Sequence, residues 1–440
     1  MFDPVNEPAF RLDVAGLSDA FEVLAFTGRE SISEPFVFDI ELLIDDLSLD
    51  LSSLLYRSAS LHFGPPGNRV HGQLHELVQR DHGPLARLCH VRLGPRLACL
   101  SQRSSQRIFS ARSVPQILDQ VLKEHGIVGP NRRFELGGDY PPRDFCTQYR
   151  ESDLQFVQRL CAQERLHYHF EHRPRGHCVV FSDGRGCFSR GERALFNSDG
   201  EQPAVRRFEV RQCAQSAVQR AQCHTDLPTL RSGQMMPLAE HPVAEWNRSW
   251  LLTHVEHQGR QDPDVPYSNQ VRAMRWEVSF ESPHSARKPV MHSLQRAWIV
   301  DVDEPRPDPS RPVAVQFDWL YQGEGAAPSH CWLPISPELE AANVARLSEG
   351  TEVVVSFIEG DPDQPLIIGV LYPTQMPEAV ETPGSLSIDD DPPEGIQGWL
   401  CSGEPLLLLC LLPGGGSFNH CEQAFCACRA ALRLGQSGAA

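Results

Sequence analysis

The chain has 440 residues, enough for about two to four compact domains, and its 41% hydrophobic and 22% charged residues are the balance of a folded protein in which 36 Pro and 32 Gly call for many turns. The formal charge of −17 is concentrated at one end, because residues 295–440 hold 6 Arg against 21 Asp and Glu whereas the first 294 residues carry only −2. That balance excludes nucleic acid as the expected partner, since phosphate binding needs a cationic surface that releases counterions.

Eight of the 14 Cys precede residue 290, one is Cys331 and five fall between 401 and 428, a scatter that reads as reduced thiols in a protein made in a cytosol. The start, Met1-Phe2-Asp3-Pro4, shows no basic segment followed by an apolar one, so no secretory signal is expected. The longest apolar run, Leu406 to Leu412, is far shorter than the roughly 20 residues that span a bilayer, so no stable membrane insertion is expected either.

In chain order, Phe36, Phe38, Ile40 and Leu42 alternate with other residues, and Pro65-Pro66-Gly67-Asn68 breaks the chain before Val70 to Leu74, which predicts a β-rich first domain. Ser113 with Gln116 has capping-box spacing; Ile117, Leu118, Val121 and Leu122 then form an apolar stripe, and Gly126 closes the helix. Ser152 with Gln155 repeats the device, with Leu154, Val157, Leu160 and Cys161 as the expected buried face. An irregular segment at Gly137 to Pro142 separates the two helices.

Next, Leu166, Tyr168 and Phe170 alternate with His167, His169 and Glu171, Gly176 marks a turn, and Cys178 to Phe181 returns, which is a hairpin. Further strands are expected at Ser249 to Val255 and Gln270 to Phe280, with a loop at Asp262 to Pro266. Val313 to Trp319, Glu352 to Ile358 and Leu366 to Tyr372 are short strands of a small closed barrel of the OB type. Past Pro373 the periodicity decays into an acidic, Cys-rich stretch.

Three ordered motifs carry a family resemblance. Tyr149-Arg150-Glu151-Ser152-Asp153-Leu154 through Arg159-Leu160 to Tyr168-His169-Phe170-Glu171-His172 resembles a segment of the VgrG spike proteins of type VI secretion systems. Pro312 to Trp319 with Cys331-Trp332-Leu333-Pro334, and Gly350 to Pro365 ending in Gly360-Asp361-Pro362-Asp363-Gln364-Pro365, resemble later parts of the same family. The likeness runs from about residue 10 to Tyr372 and takes in Thr253 to Gly259 and Arg287 to Val290.

The resemblance implies a mainly β protein with a small α/β part: a phage-tail-hub-like region over 1–290, made of a barrel at 1–100, a helix-containing insert at 101–195 and a second barrel at 196–290, then an OB-fold domain at 291–373 and a tail at 374–440. It also implies a homotrimer that caps an Hcp-like hexameric tube protein, meets baseplate components, carries a PAAR-like tip protein or effector cargo, and leaves the cytoplasm through the type VI apparatus. Two departures stand out. Residues 374–440 lack the alternating repeat of the family's β-helical needle, and Ser336 to Leu347 matches the family poorly.

Candidate chemistry is sparse. His167 and His169 share a strand face, while His172 and His177 lie farther along the hairpin, and a packing role outweighs a metal for all four. His75-Glu76-Leu77-Val78-Gln79 approaches a zinc-peptidase helix but has Gln79 where the second ligand must stand. His420, Cys421, Cys426 and Cys428, with Cys401 and Cys410 upstream, form the tightest donor cluster, without the spacing of a known finger. Phe357, Ile358 and the Gly360-Asp361-Pro362 turn read as barrel framework. No catalytic, cofactor-binding or metal-binding residue is therefore assigned. The competing readings are the hub of a phage-tail-like particle, a zinc-dependent C-terminal effector, and a docking strand at Leu406 to Leu412.

Overall fold

A computed structural model of the chain describes residues 10–82, 85–173, 176–213, 216–261, 266–278, 280–281, 284, 287–302, 310, 312–320, 330–339 and 347–371. The chain divides into two compact units between Val290 and Met291.

Alternation builds the first lobe of unit 1. The strand Glu34–Ile44 buries Phe36, Phe38, Ile40, Leu42 and Ile44 and turns the residues between them outward. It pairs antiparallel with Phe21–Ser31 on one side and Arg87–Gly94 on the other. Arg69–His82, Ser58–Phe63 and Phe10–Val14 continue the sheet. Phe10–Val14 then pairs back with Phe21 and Glu22, so the six strands close into a barrel.

The second lobe repeats the plan around Ser249–Arg260, which pairs with Tyr267–Arg275, followed by Ser216–Thr225 and Val205–Cys213. Its first residues also pair with Gln234–Ala239. The short strands Ser189–Arg190 and Ala194–Leu195 lie against Gln234–Ala239, and Phe196 bridges to Val205, bringing the ends of the lobe together. Trp250, Leu252, Val255 and Val271 fill this lobe.

Between the lobes in sequence lies the insert. Helix α1, Val114–Glu124, buries Val114, Ile117, Leu118, Val121 and Leu122, and the Ser113 N–H donates to Gln116 Oε1 at 2.9 Å. Helix α2, Asp153–Gln163, has both arms of its capping box, Ser152 N–H to Gln155 Oε1 at 2.9 Å and Gln155 N–H to Ser152 Oγ at 3.2 Å. Its buried face differs from the expected one: Leu154 is only partly buried, and Phe156 and Arg159 are inside instead. The apolar pattern alone could not place Arg159, which is buried because Glu151 neutralises it with bonds at 2.6 and 3.1 Å.

The hairpin His167–Arg173/Gly176–Ser182 is buried on both faces at His167 to Phe170 and Cys178 to Ser182, and half-buried toward its turn. Tyr168 and Phe170 join the core of the first lobe and the helices, while Cys178 and Val180 pack with Ile32, Leu251 and Met274. The strand expected from Gln270 to Phe280 stops at Arg275.

Unit 2 is a five-stranded sheet in the order Cys331–Leu333, Val313–Phe317, Gln295–Ile299, Glu352–Phe357 and Pro365–Leu371. The Ile335–Ile367 bridge joins its two ends into a small barrel, with Ile367 N–H donating to Pro334 O at 3.0 Å and Ser336 N–H to Ile367 O at 2.8 Å. At the turn after Phe357, Glu359 and Gly360 adopt φ of 55° and 74°, the left-handed region that glycine enters freely. The expected loop at 262–265, most of Ser336 to Leu347, and everything after Leu371 lie outside the described residues.

Candidate functional site: a polar seam joining two barrels

The lobes of unit 1 share one sheet. Residues Ala25 to Ser31 of the first barrel pair antiparallel with His254 to Arg260 of the second, in register from Arg260↔Ala25 to His254↔Ser31. Each of these two strands gives its first residues to its own lobe's closing strand and its second half to the other lobe. Close approach is needed here: a Cβ on Gly28 would lie 2.2 Å from Phe38 Cε1, and one on Gly259 would lie 2.2 Å from Phe26 Cε1.

Behind this strand pair lies a buried ionic group. Glu30 is 4% exposed and Arg231 6%. Arg231 Nε is 3.6 Å and His257 Nε2 3.3 Å from Glu30 Oε1, and the Ser232 N–H donates to Glu30 Oε2 at 3.3 Å. Arg231 also donates to Asn68 Oδ1 at 2.8 Å and to the carbonyls of Pro228 and Leu230, with its guanidinium 5.0 Å over the Phe63 ring. His257 Nδ1 is 2.6 Å from the Tyr267 hydroxyl, which accepts from Asn269 Nδ2 at 3.0 Å, while Thr225 Oγ1 donates to Asn269 Oδ1 at 2.7 Å. Burial works to raise the Glu30 pKa, but Arg231 and His257 outweigh it and hold the carboxyl down at about 2. A carboxylate kept ionised and fully enclosed is a structural tie, with neither the exposure nor the proton affinity of a general base.

A second network anchors the insert. Asp153, at the start of α2, is fully buried and accepts from Arg103 Nε at 2.6 Å, Gln148 Nε2 at 2.8 Å and His125 Nε2 at 2.7 Å, with Arg107 Nη2 at 3.4 Å. The Glu-Ser-Asp run of the first family motif thus divides its labour: Glu151 neutralises Arg159, Ser152 caps α2, and Asp153 ties α2 to the end of α1 and to the strand Ser104–Phe109. In the irregular segment, Gly137 and Gly138 N–H donate to Asp183 Oδ2 at 2.9 and 2.7 Å, and the Tyr140 hydroxyl donates to the same atom at 2.8 Å.

The sequence candidates fall into these packing roles. The His167 ring stacks on Phe188 with centroids 4.8 Å apart and its Nε2 is 3.3 Å from Cys187 Sγ. His169 lies 5.5 Å from the same phenyl ring. Burial lowers both imidazoles to about 4, so they are neutral at physiological pH. His172 Nδ1 accepts from His71 N–H at 3.1 Å, and the His177 ring lies 5.7 Å from Phe36. His75 and Glu76 sit on the strand Arg69–His82: His75 Nε2 is 3.1 Å from Pro95 O, and Glu76 pairs with Arg92 at 2.6 Å. No group of three or more His, Cys, Asp or Glu among the described residues is placed to hold a metal ion. His420 and the cysteines at 401, 410, 421, 426 and 428 lie outside the described residues, as does Leu406 to Leu412. No helix among the described residues is long and apolar enough to cross a membrane.

Glu30, Arg231 and His257 could not be picked out beforehand, because they lie far apart in the chain and none sits in a spaced motif. The one available signal was Thr253 to Gly259, noted for its likeness to the family, which contains His257.

Comparison with known proteins supplies the family. The family described as phage tail baseplate hub (GPD) matches residues 29–221. The chain is 34% identical to the type VI secretion system spike protein VgrG4b of Pseudomonas aeruginosa over 88% of its own length, and 35% identical to VgrG5 of the same organism over 87%. It spans 58% and 60% of the length of those two relatives. Among solved structures, the Escherichia coli c3393 protein, a type VI secretion component described as similar to the T4 tail proteins gp27 and gp5, superposes with a TM-score of 0.69 at 24% identity, over 82% of this chain and 99% of that one. Tandem barrels around a helical insert, followed by a small barrel, are thus the fold the two share, and the chain belongs to the VgrG spike-protein family of type VI secretion systems.

Proposed function

We propose that this chain is a trimeric hub and spike base of a type VI secretion system, acting by assembly and mechanics and not by catalysis. The observation that carries this reading is the continuous sheet in which Phe21–Ser31 and Ser249–Arg260 play the same part in two like lobes. Two like lobes per chain, repeated about a threefold axis, offer six similar positions, which is the number a hexameric tube ring needs. The inward-held ionic groups fit a rigid adaptor, because Asp153 and Asp183 are held by neighbouring donors and Glu30 by the Ser232 N–H and the charge of Arg231.

On this reading residues 1–290 form the hub, with barrels at 1–100 and 196–290 around the insert, and 291–373 form the OB domain at the base of the spike. Hcp-like tube protein, baseplate components and a PAAR-like tip protein or effector are the partners, and the protein assembles in the cytoplasm before the apparatus expels it. No metal or cofactor takes part. The baseplate-hub match over 29–221 also suits the hub of a phage-tail-like particle, which has the same geometry.

Native mass spectrometry of the chain mixed with a hexameric tube protein tests the reading. A complex of three chains on one tube hexamer supports it, and failure to bind any tube ring would overturn it.

A further inference from the structure

Tyr168 and Phe170 anchor the base of the insert hairpin in the core, and toward its turn the hairpin meets the first barrel at a group of histidines. His71 comes from the strand Arg69–His82, and His172 and His177 from the two strands of the hairpin, where they face each other in register. The two hairpin rings are 6.3 Å apart and lie 5.1 and 5.7 Å from Phe36. The hydrogen bond of His71 N–H to His172 Nδ1 fixes the tautomer: Nδ1 must be bare, so Nε2 carries the hydrogen, and that atom is buried with no partner. A proton added to His172 can go only to Nδ1, the atom that accepts the His71 backbone N–H and so ties the turn end of the hairpin to the barrel.

The charges around these rings cannot absorb such a proton. His172 faces Glu30, Arg231, His177 and His71, and the cavity beside it adds Arg69, Glu171 and Arg173. His177 faces His71, His75 and Arg96. A cavity of about 540 Å³, lined by His71, His177, Gly176 and Asp13, lies against the hairpin turn. Each nearby carboxylate is already engaged: Glu30 by Arg231 and His257, Glu171 by Arg133 and Arg173, and Asp13 by His62. His257 differs, because its Nε2 already lies against Glu30.

We propose that His172 and His177 form an acid-operated latch, which holds the insert hairpin on the first barrel at neutral pH and releases it when they take up protons. Burial keeps His172 at about 3 against the opposing charge of Glu30 and with the help of Arg231, and keeps His177 at about 4 with the help of Arg96, in the closed form. Released rings return to the ordinary range near 6.5, so opening gains ground as pH falls below that value and until the closed-form values are reached. The latch is a property of one chain and does not rest on the hub reading.

Hydrogen exchange of the full chain, read as protection factors from pH 7.5 downward, tests it. The amides of His167–Ser182 are expected to lose protection at a higher pH than those of Phe21–Ser31 and Ser249–Arg260. In His172→Asn, whose side-chain oxygen can accept from His71 but cannot be protonated, release is expected to move down by about one pH unit. Loss of protection in hairpin and barrel strands together, in the unmodified chain, overturns the proposal without any variant. So does an unchanged release midpoint in His172→Asn.

Discussion

Replacing Glu30 by Gln probes the seam most sharply. The substitution keeps the shape and an acceptor for the Ser232 N–H but removes the carboxylate that, among the described residues, pairs with Arg231, leaving a guanidinium that is 6% exposed without that counter-charge. Removing one partner of a buried pair costs about 3–5 kcal/mol, a large share of the roughly 5–15 kcal/mol that holds a domain together. The Glu30 carboxyl is held down at about 2, so its stabilisation is fully present above the ordinary carboxylate range and is lost as pH falls toward that value. At pH 7 the variant is therefore expected to unfold at a lower urea midpoint with an unchanged slope, followed by hydrogen exchange in the strand Ser249–Arg260. Adding Arg231→Met removes the stranded cation, so the double variant should recover part of the loss. A loss below about 1 kcal/mol in Glu30→Gln, or a double variant whose loss equals the sum of the single ones, would mean that Glu30 and Arg231 are not a coupled buried pair.

Further consequences follow for the insert, the strand crossing and metal content. Asp153→Asn removes the buried charge shared by Arg103, Arg107 and His125 and turns one of its two acceptor oxygens into a donor, and with Arg103 partly exposed the expected cost is about 2 kcal/mol in a thermal melt. Burial opposes the ionised form of Asp153, but hydrogen bonds from His125 and Gln148 and the charge of Arg107 lower its pKa, so this contribution is present at neutral pH and fades as the solution is acidified below the usual carboxylate range. Gly28→Ala pushes a methyl into the buried Phe38 ring and is expected to cost about 3 kcal/mol or more, whereas Gly186→Ala enters open space and should stay within about 0.5 kcal/mol; differential scanning calorimetry of the pair checks the contrast. Exhaustive chelation should leave the melting temperature and assembly of the protein unchanged, and elemental analysis finding stoichiometric zinc dependent on Cys421, Cys426 and Cys428 would instead favour the effector reading.

Much of the framework was legible because local rules and global packing agree. The alternation from Phe36 to Leu42 and the stripe from Ile117 to Leu122 each have one buried face, so period alone finds them. Agreement fails where a segment is buried on both sides. The hairpin at His167–Ser182 hides His167 and His169 as thoroughly as its aromatics, and Arg159 lies on the buried face of α2 because Glu151 accompanies it. The seam was the least legible part, since Glu30, Arg231 and His257 meet only after two lobes pair through strands more than 200 residues apart in sequence. Nothing in the spacing of those residues encodes a contact that depends on the register of the whole sheet.

Threefold assembly is checked by the molar mass of the purified chain in solution, measured by light scattering over a range of concentrations. A single species at three times the 49.2 kDa chain mass is the predicted result. A mass that stays at one chain length across the whole range would contradict it.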